Sequence, residues 1–281
     1  MRARSFPLSS VTDQSVDLND FARGDGFLFV RDGIGFAGHG ISASATAQDA
    51  RSVLKNVIHE TSDAPVGIGP LMFGSIPFDH DTPSEFIIPT VTLAKTASGE
   101  TWVTVIDDAQ LPPWHTGSPT PSHASYSVHE GVPVTTYLNA VDTARKAVQH
   151  GEITKAVIAR DVFVESNMPI DVHAVLLRLR ASFGSSYRFS LDGFIGASPE
   201  LLVAIDGDEI TSHPLAGTTP RTGDPDTDRF LADKLLASAK NQIEHRVVIN
   251  MVHDTLLPHC SYLDWEAEPS IVQVANVAHL G

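Results

Sequence analysis

The sequence is poor in cysteine, in basic residues and in long apolar runs. One cysteine, Cys260, stands among 281 residues, so no internal disulfide can form, which fits a reducing, cytoplasmic setting. Lys and Arg number 19 against 34 Asp and Glu, a formal net charge of −15. A surface that acidic repels phosphate backbones and anionic membranes, so nucleic acid and membrane are poor partners. A small anionic substrate would need a locally basic or metal-bearing pocket. No run approaches the ~18 consecutive apolar residues of a membrane helix, and residues 1–20 carry no apolar stretch of the signal-peptide kind. HExxH, paired cysteines, the GxSxG elbow and the GxxxxGK phosphate loop are all missing. His245, His253 and His259 fall close together, at spacings that match no standard zinc site. Gly24-Asp25-Gly26 begins like a dinucleotide fingerprint, but Phe29 stands where the third glycine belongs, and a hairpin follows instead of a helix.

What remains is an ordinary globular composition, 42% hydrophobic and 19% charged, over a length that allows one large domain or two modest ones. Residues 1–110 read as strand-rich. Phe27, Phe29, Ile34 and Phe36 flank Asp32-Gly33, the pair favoured in a tight primed hairpin turn. Residues 111–133, rich in Pro, Ser and His, read as an exposed connection. Residues 134–281 read as a more regular part. It opens with a helix near 134–150 and continues with a strand over 155–165 and a short helix over 172–183. Several short strands lead into one long helix over 226–257, with Leu231, Leu235, Ile243, Val247 and Leu256 as its buried stripe.

Four features of this second part could carry chemistry. Lys155 stands at the entrance of the apolar strand, either as a marker of that entrance, the commoner case for a lysine taken alone, or as a catalytic residue. Glu200 precedes Leu201-Leu202-Val203, either as an ordinary strand-edge carboxylate or as an acid beside apolar surroundings. The turn Pro214-Leu215-Ala216-Gly217-Thr218 exposes amides and a hydroxyl that can hold a carboxylate. Glu244 lies one helical turn from Lys240, either as an exposed pair or as an oxygen ligand for a hard cation.

Taken in order, Lys155-Ala-Val-Ile-Ala-Arg160, Gly196-Ala-Ser-Pro-Glu-Leu-Leu202, Pro214-Leu-Ala-Gly-Thr218 with Pro220-Arg221, and Ser238-x-Lys240-x-x-x-Glu244-His245 resemble the chorismate-utilising enzymes. This is the group of isochorismate, salicylate, anthranilate and aminodeoxychorismate synthases. The likeness is strong from about residue 135 onward and is visible earlier in Phe73-Gly-Ser-Ile-Pro-Phe-Asp79. The amine-forming branches usually carry glutamine where Lys155 stands, and the aminodeoxychorismate branch a lysine where Ala216 stands. The resemblance thus points to isochorismate synthase, with salicylate synthase as the alternative.

The resemblance implies an α+β fold, with antiparallel sheets facing each other and helices outside. It implies Mg²⁺ as cofactor with Glu244 as a ligand, Lys155 as the base that activates water, and Glu200 as the acid that protonates the departing hydroxyl. Ala216, Gly217 and Thr218 would lie against the substrate, chorismate, which would feed menaquinone or siderophore biosynthesis. The family's chains continue past the His-Leu corresponding to His279-Leu280, with a second magnesium glutamate and an arginine for a substrate carboxylate. The resemblance therefore implies a chain that lacks the family's C-terminal portion and leaves its sheets incomplete. A complementing C-terminal fragment is the expected partner, and the polypeptide alone is expected to have low activity or to be an inactive fragment.

Overall fold

The computed structural model describes residues 1–60, 63–79, 81–114 and 124–281. The chain forms two compact units, Met1–Pro119 with Asp171–Pro199, and Thr120–Ile170 with Glu200–Gly281. Helices and antiparallel strands are mixed in both, the α+β class that the sequence suggests. Among the described residues the single parallel pairing is Arg2–Ala3 with Ile58–His59. No helix there is long and apolar enough to cross a membrane.

The first unit is built on an eight-stranded sheet. Its spatial order is Phe194–Ser198, Tyr187–Leu191, Phe27–Arg31, Ile34–His39, Val91–Lys95, Thr101–Ile106, Arg2–Pro7, Ile58–His59. The hairpin Phe27–Arg31/Ile34–His39 closes at Asp32 (φ 51°) and Gly33 (φ 77°), with Arg31 opposite Ile34. Positive φ at both central residues is what a primed turn needs to match the strand twist. Leu28, Val30, Ala37, Leu93, Val103 and Val105 project from one side of these strands. They pack against Leu18, Phe21 and Ala22 of the helix Leu18–Ala22 and Leu176 of the helix Val172–Ser182. Each of the leucine, valine and phenylalanine side chains, fully removed from water, contributes about 1.5–3 kcal/mol. A smaller sheet, Ala43–Ala45, Glu85–Ile88, Phe73–Ser75, stands on Phe27, Phe73 and Ile87.

Among the described residues the second unit holds three small antiparallel groups. Tyr126–Glu130 pairs with Val162–Ser166, and Leu201–Asp206 with Glu209–His213. Val277–Leu280 lies between Ala216–Pro220 and Ile271–Gln273. Its helices are Val134–Gln149, Pro225–Leu236 and Ala239–Leu256.

Three sequence expectations are corrected here. Tyr126–Glu130 is a strand inside the stretch expected to be an exposed connection; residues 115–123 of that stretch lie outside the described residues. The strand expected from Lys155 begins at Val162, so Lys155 sits on irregular backbone: Tyr126–Glu130 offers a ladder only to Val162–Ser166. The long helix expected over 226–257 is two helices. Asp224 caps the first by accepting from the Thr227 N–H, with Pro225 at its first position. Ser238 caps the second by accepting from the Asn241 N–H. A serine side chain that competes for backbone donors favours such a break over helix continuation.

Candidate functional site

The helix Ala239–Leu256 is the scaffold of the site. From Ser238, the i+4 spacing sets Lys240 and Glu244 one above the other, and the Lys240 ammonium donates to Glu244 Oε2 at 2.8 Å. Lys155 reaches the other oxygen from a different part of the chain, with Nζ 3.8 Å from Oε1. Lys155 and Glu244 are both about three-quarters buried, whereas Lys240 is exposed. The hydrogen bond from Lys240 holds the Glu244 carboxyl below the usual glutamate range. Its burial pushes the other way, and the positive charge of Lys155 adds to the lowering.

Next along the helix, His245 is buried, and its Nδ1 meets no hydrogen-bond partner among the described residues. Burial pushes its imidazole below the ordinary histidine value, with the charges of Arg246, Lys155 and His213 adding to this. His245 therefore stands neutral near neutral pH.

Lys155 and Glu244 open onto a cavity of about 840 Å³. Tyr137, Val141, Ala144 and Val148 of the helix Val134–Gln149 form one wall, and Ile243 and Val247 flank Glu244 on another. The spacing of Tyr137, Val141, Ala144 and Val148 places them along one helix face. The charged lining is Arg145, Lys155 and Lys240 against Glu244 alone. In a chain of net charge −15, this is the local basic pocket that a small anion requires.

Glu200, Ala216, Gly217 and Thr218 do not line that cavity. They form a second cluster around the strand Ala216–Pro220. Exposed Glu200 accepts from the Leu215 N–H at 3.1 Å, just before the strand. Ala216 is buried, opposite Leu280. Gly217 has φ +73°, and a Cβ placed on it would come within 3.3 Å of Asn241 Cβ and 3.5 Å of Leu235 Cδ1. The strand thus lies close against the helix that carries Lys240 and Glu244, and its left-handed φ, more than the space, favours glycine there. Thr218 Oγ1 lies 3.0 Å from His279 Nδ1 across the sheet.

The structure thus joins Lys155 to Glu244, and Glu200 to the turn before Ala216. It also adds contacts of His245 and His279 to which sequence reasoning assigned no role, and it bears out the pairing of Lys240 with Glu244. The i,i+4 spacing of Lys240 and Glu244 was the visible signal for that pairing. His245 and His279 stand in the motifs named above, but their contacts come from tertiary packing.

The residues do not by themselves make a site for the magnesium ion that the resemblance implies. Among the described residues no three His, Cys, Asp or Glu side chains come together. The single carboxylate, Glu244, already faces two ammonium groups. Mg²⁺ usually keeps several waters and needs anionic anchors, so no step is derived through it.

The family model described as "Chorismate binding enzyme" matches residues 94–281. The isochorismate synthase EntC of Escherichia coli is 30% identical over 217 residues, covering 75% of this chain and 53% of the relative. The vibriobactin-specific isochorismate synthase of Vibrio cholerae is 29% identical over 242 residues, covering 83% of this chain and 55% of the relative. The chain spans about half the length of these curated relatives. The solved structure of MenF, the menaquinone-specific isochorismate synthase of E. coli, superimposes with a TM-score of 0.78 at 21% identity, over 99% of this chain and 68% of that one. At that identity the match speaks for the fold.

Proposed function

The chain belongs to the family of chorismate-binding enzymes, and on that premise we propose that it carries the acid–base residues of an isochorismate synthase. One observation supports the reading above the rest. Lys155 stands in the wall of a cavity whose charged lining is cationic three to one, inside a strongly acidic protein. Chorismate is a small dicarboxylate, and such a pocket gathers and holds it.

In this reading Lys155 takes a proton from a water molecule as the water oxygen bonds to ring carbon C2. The ring double bonds shift, the C4–oxygen bond breaks, and Glu200 gives its proton to the departing hydroxyl, which leaves as water; this requires the bound ring to reach from the Lys155 cavity to the separate Glu200 cluster beside Leu215. One water enters and one leaves, so the reaction is an isomerisation. Each positioned proton transfer is worth about 10²–10⁴-fold. A lysine suits a reaction whose nucleophile must be deprotonated, and a carboxyl group suits a poor leaving group. The Gly217 N–H and Thr218 hydroxyl would hold a substrate carboxylate, and Gly217 keeps its strand close to the helix that bears Glu244. The product would enter menaquinone or siderophore biosynthesis, a reading supported by the menaquinone-specific and vibriobactin-specific relatives.

The experiment is product analysis. The protein carrying this chain is incubated with chorismate and Mg²⁺, and the products are resolved by chromatography. Isochorismate as the first product supports the reading. Salicylate as the main product transfers the chain to the lyase branch. Anthranilate formed in the presence of ammonia contradicts the assignment of Lys155 as a base for water.

A further inference from the structure

Arg188 is an expensive residue in the wrong place for a surface charge. It lies on the strand Tyr187–Leu191, opposite Val30, and is 1% exposed. Its Nη1 donates to Asn19 Oδ1 at 3.2 Å, and its Nε–H meets no acceptor among the described residues. Burial lowers its pKa from the ordinary arginine value, the charge of Asp17 opposing that shift. A guanidinium nevertheless stays protonated in a protein. The neighbouring carboxylates are engaged elsewhere. Asp17 pairs with Arg180 at 2.8 Å and accepts from the Asn19 side chain at 2.7 Å, while Asp32 faces Arg31 at 3.6 Å. A buried cation with an unused donor costs stability unless something satisfies it. In native proteins such a group calls for an explanation, often a bound ion, ligand or water.

Arg188 lines a cavity of about 270 Å³ in the first unit. Lys95, at the end of its strand, and Arg180 line it too, with Asp17 and Asp32 as the opposing charges. Three cations against two carboxylates leave room for one negative charge, which disfavours a phosphate dianion. Buried Leu18 and Val30 supply apolar wall.

We propose that this cavity binds a small organic monocarboxylate, its oxygens accepting from Arg188 and Lys95 and its apolar body resting on Leu18 and Val30. The planar fork of arginine matches a carboxylate edge. The inference goes beyond the proposed catalytic function and does not depend on it, because these residues belong to the first unit and Lys155 and Glu244 to the second.

The test is calorimetric titration of the full protein with benzoate, with benzyl alcohol as the neutral isostere and inorganic phosphate as the competing oxyanion. Benzoate is expected to bind saturably at one site per chain, benzyl alcohol not to bind, and phosphate to bind at least about tenfold more weakly. Lys95→Met, on the cavity rim, is expected to weaken benzoate about tenfold or more, the usual effect of losing one charge-assisted contact. Arg188→Gln should abolish binding; if that variant fails to fold, Lys95→Met decides. Lys155→Ala should leave benzoate affinity unchanged. Absence of saturable binding, phosphate binding as tight as benzoate, or affinity insensitive to Lys95→Met would overturn the proposal. So would binding that is lost in Lys155→Ala, since that places benzoate in the second unit.

Discussion

Glu244 is shared between two lysines, with Lys240 bonded to Oε2 at 2.8 Å and Lys155 standing 3.8 Å from Oε1. The tighter contact is the exposed one, and the looser contact is the more sheltered one. Glu244 therefore holds Lys155 near the cavity wall without a close hydrogen bond that would tie up its ammonium group. Lys240→Met should disturb this arrangement without unfolding the helix. The Glu244 pKa should rise toward the ordinary glutamate value, as followed by carboxyl carbon NMR. A lowered native pKa contributes stability above the unfolded value, and that contribution is lost as pH falls through the native one. The stability difference between wild type and Lys240→Met should therefore be present at neutral pH and shrink on acidification through the glutamate range. An exposed i,i+4 pair limits it to about 0.5 kcal/mol.

Gly217→Ala should destabilise the second unit by about 1–2 kcal/mol, the cost of a left-handed backbone for an L side chain. At φ +73° the new methyl would also press on Asn241, at 3.3 Å from its Cβ. Denaturant unfolding monitors the stability, and substrate affinity should fall with it, since the strand carries Thr218. An unchanged unfolding midpoint would show that the strand does not need glycine.

Glu200→Gln separates structure from chemistry. The glutamine carbonyl can still accept from the Leu215 N–H, now 3.1 Å from Glu200 Oε1. Stability should therefore change by less than about 0.5 kcal/mol. Turnover should fall about 10²–10⁴-fold, since an amide cannot supply the proton. Equal turnover in the two proteins would remove Glu200 from the acid role.

The hairpin at Asp32-Gly33 was legible in the sequence because turn chemistry is local: both residues must adopt positive φ. The return of Asp171–Pro199 to the first unit was not. It depends on Tyr187–Leu191 pairing with Phe27–Arg31, and strand pairing across so many residues leaves no mark in local composition. The break between the last two helices was encoded at Ser238, but the apolar stripe that runs through it conceals a cap. In the site, the pairing of Lys240 with Glu244 follows from helical spacing alone. The approach of Lys155 to Glu244 follows from irregular backbone that periodicity cannot place. Arg188 was invisible for a related reason. In a strand a buried position is known only from the sheet beneath it, and an arginine there reads as surface.

The most direct measurement is the rate of isochorismate formation from chorismate by the protein that carries this chain, purified as its own host makes it. Production is coupled to excess isochorismatase in the presence of Mg²⁺, and wild type is compared with Lys155→Ala. Turnover should fall at least about 10²-fold in Lys155→Ala, while the variant keeps the wild-type unfolding midpoint to within about 0.5 kcal/mol. Isochorismate formed at an undiminished rate by Lys155→Ala would contradict the assignment of Lys155 as the base.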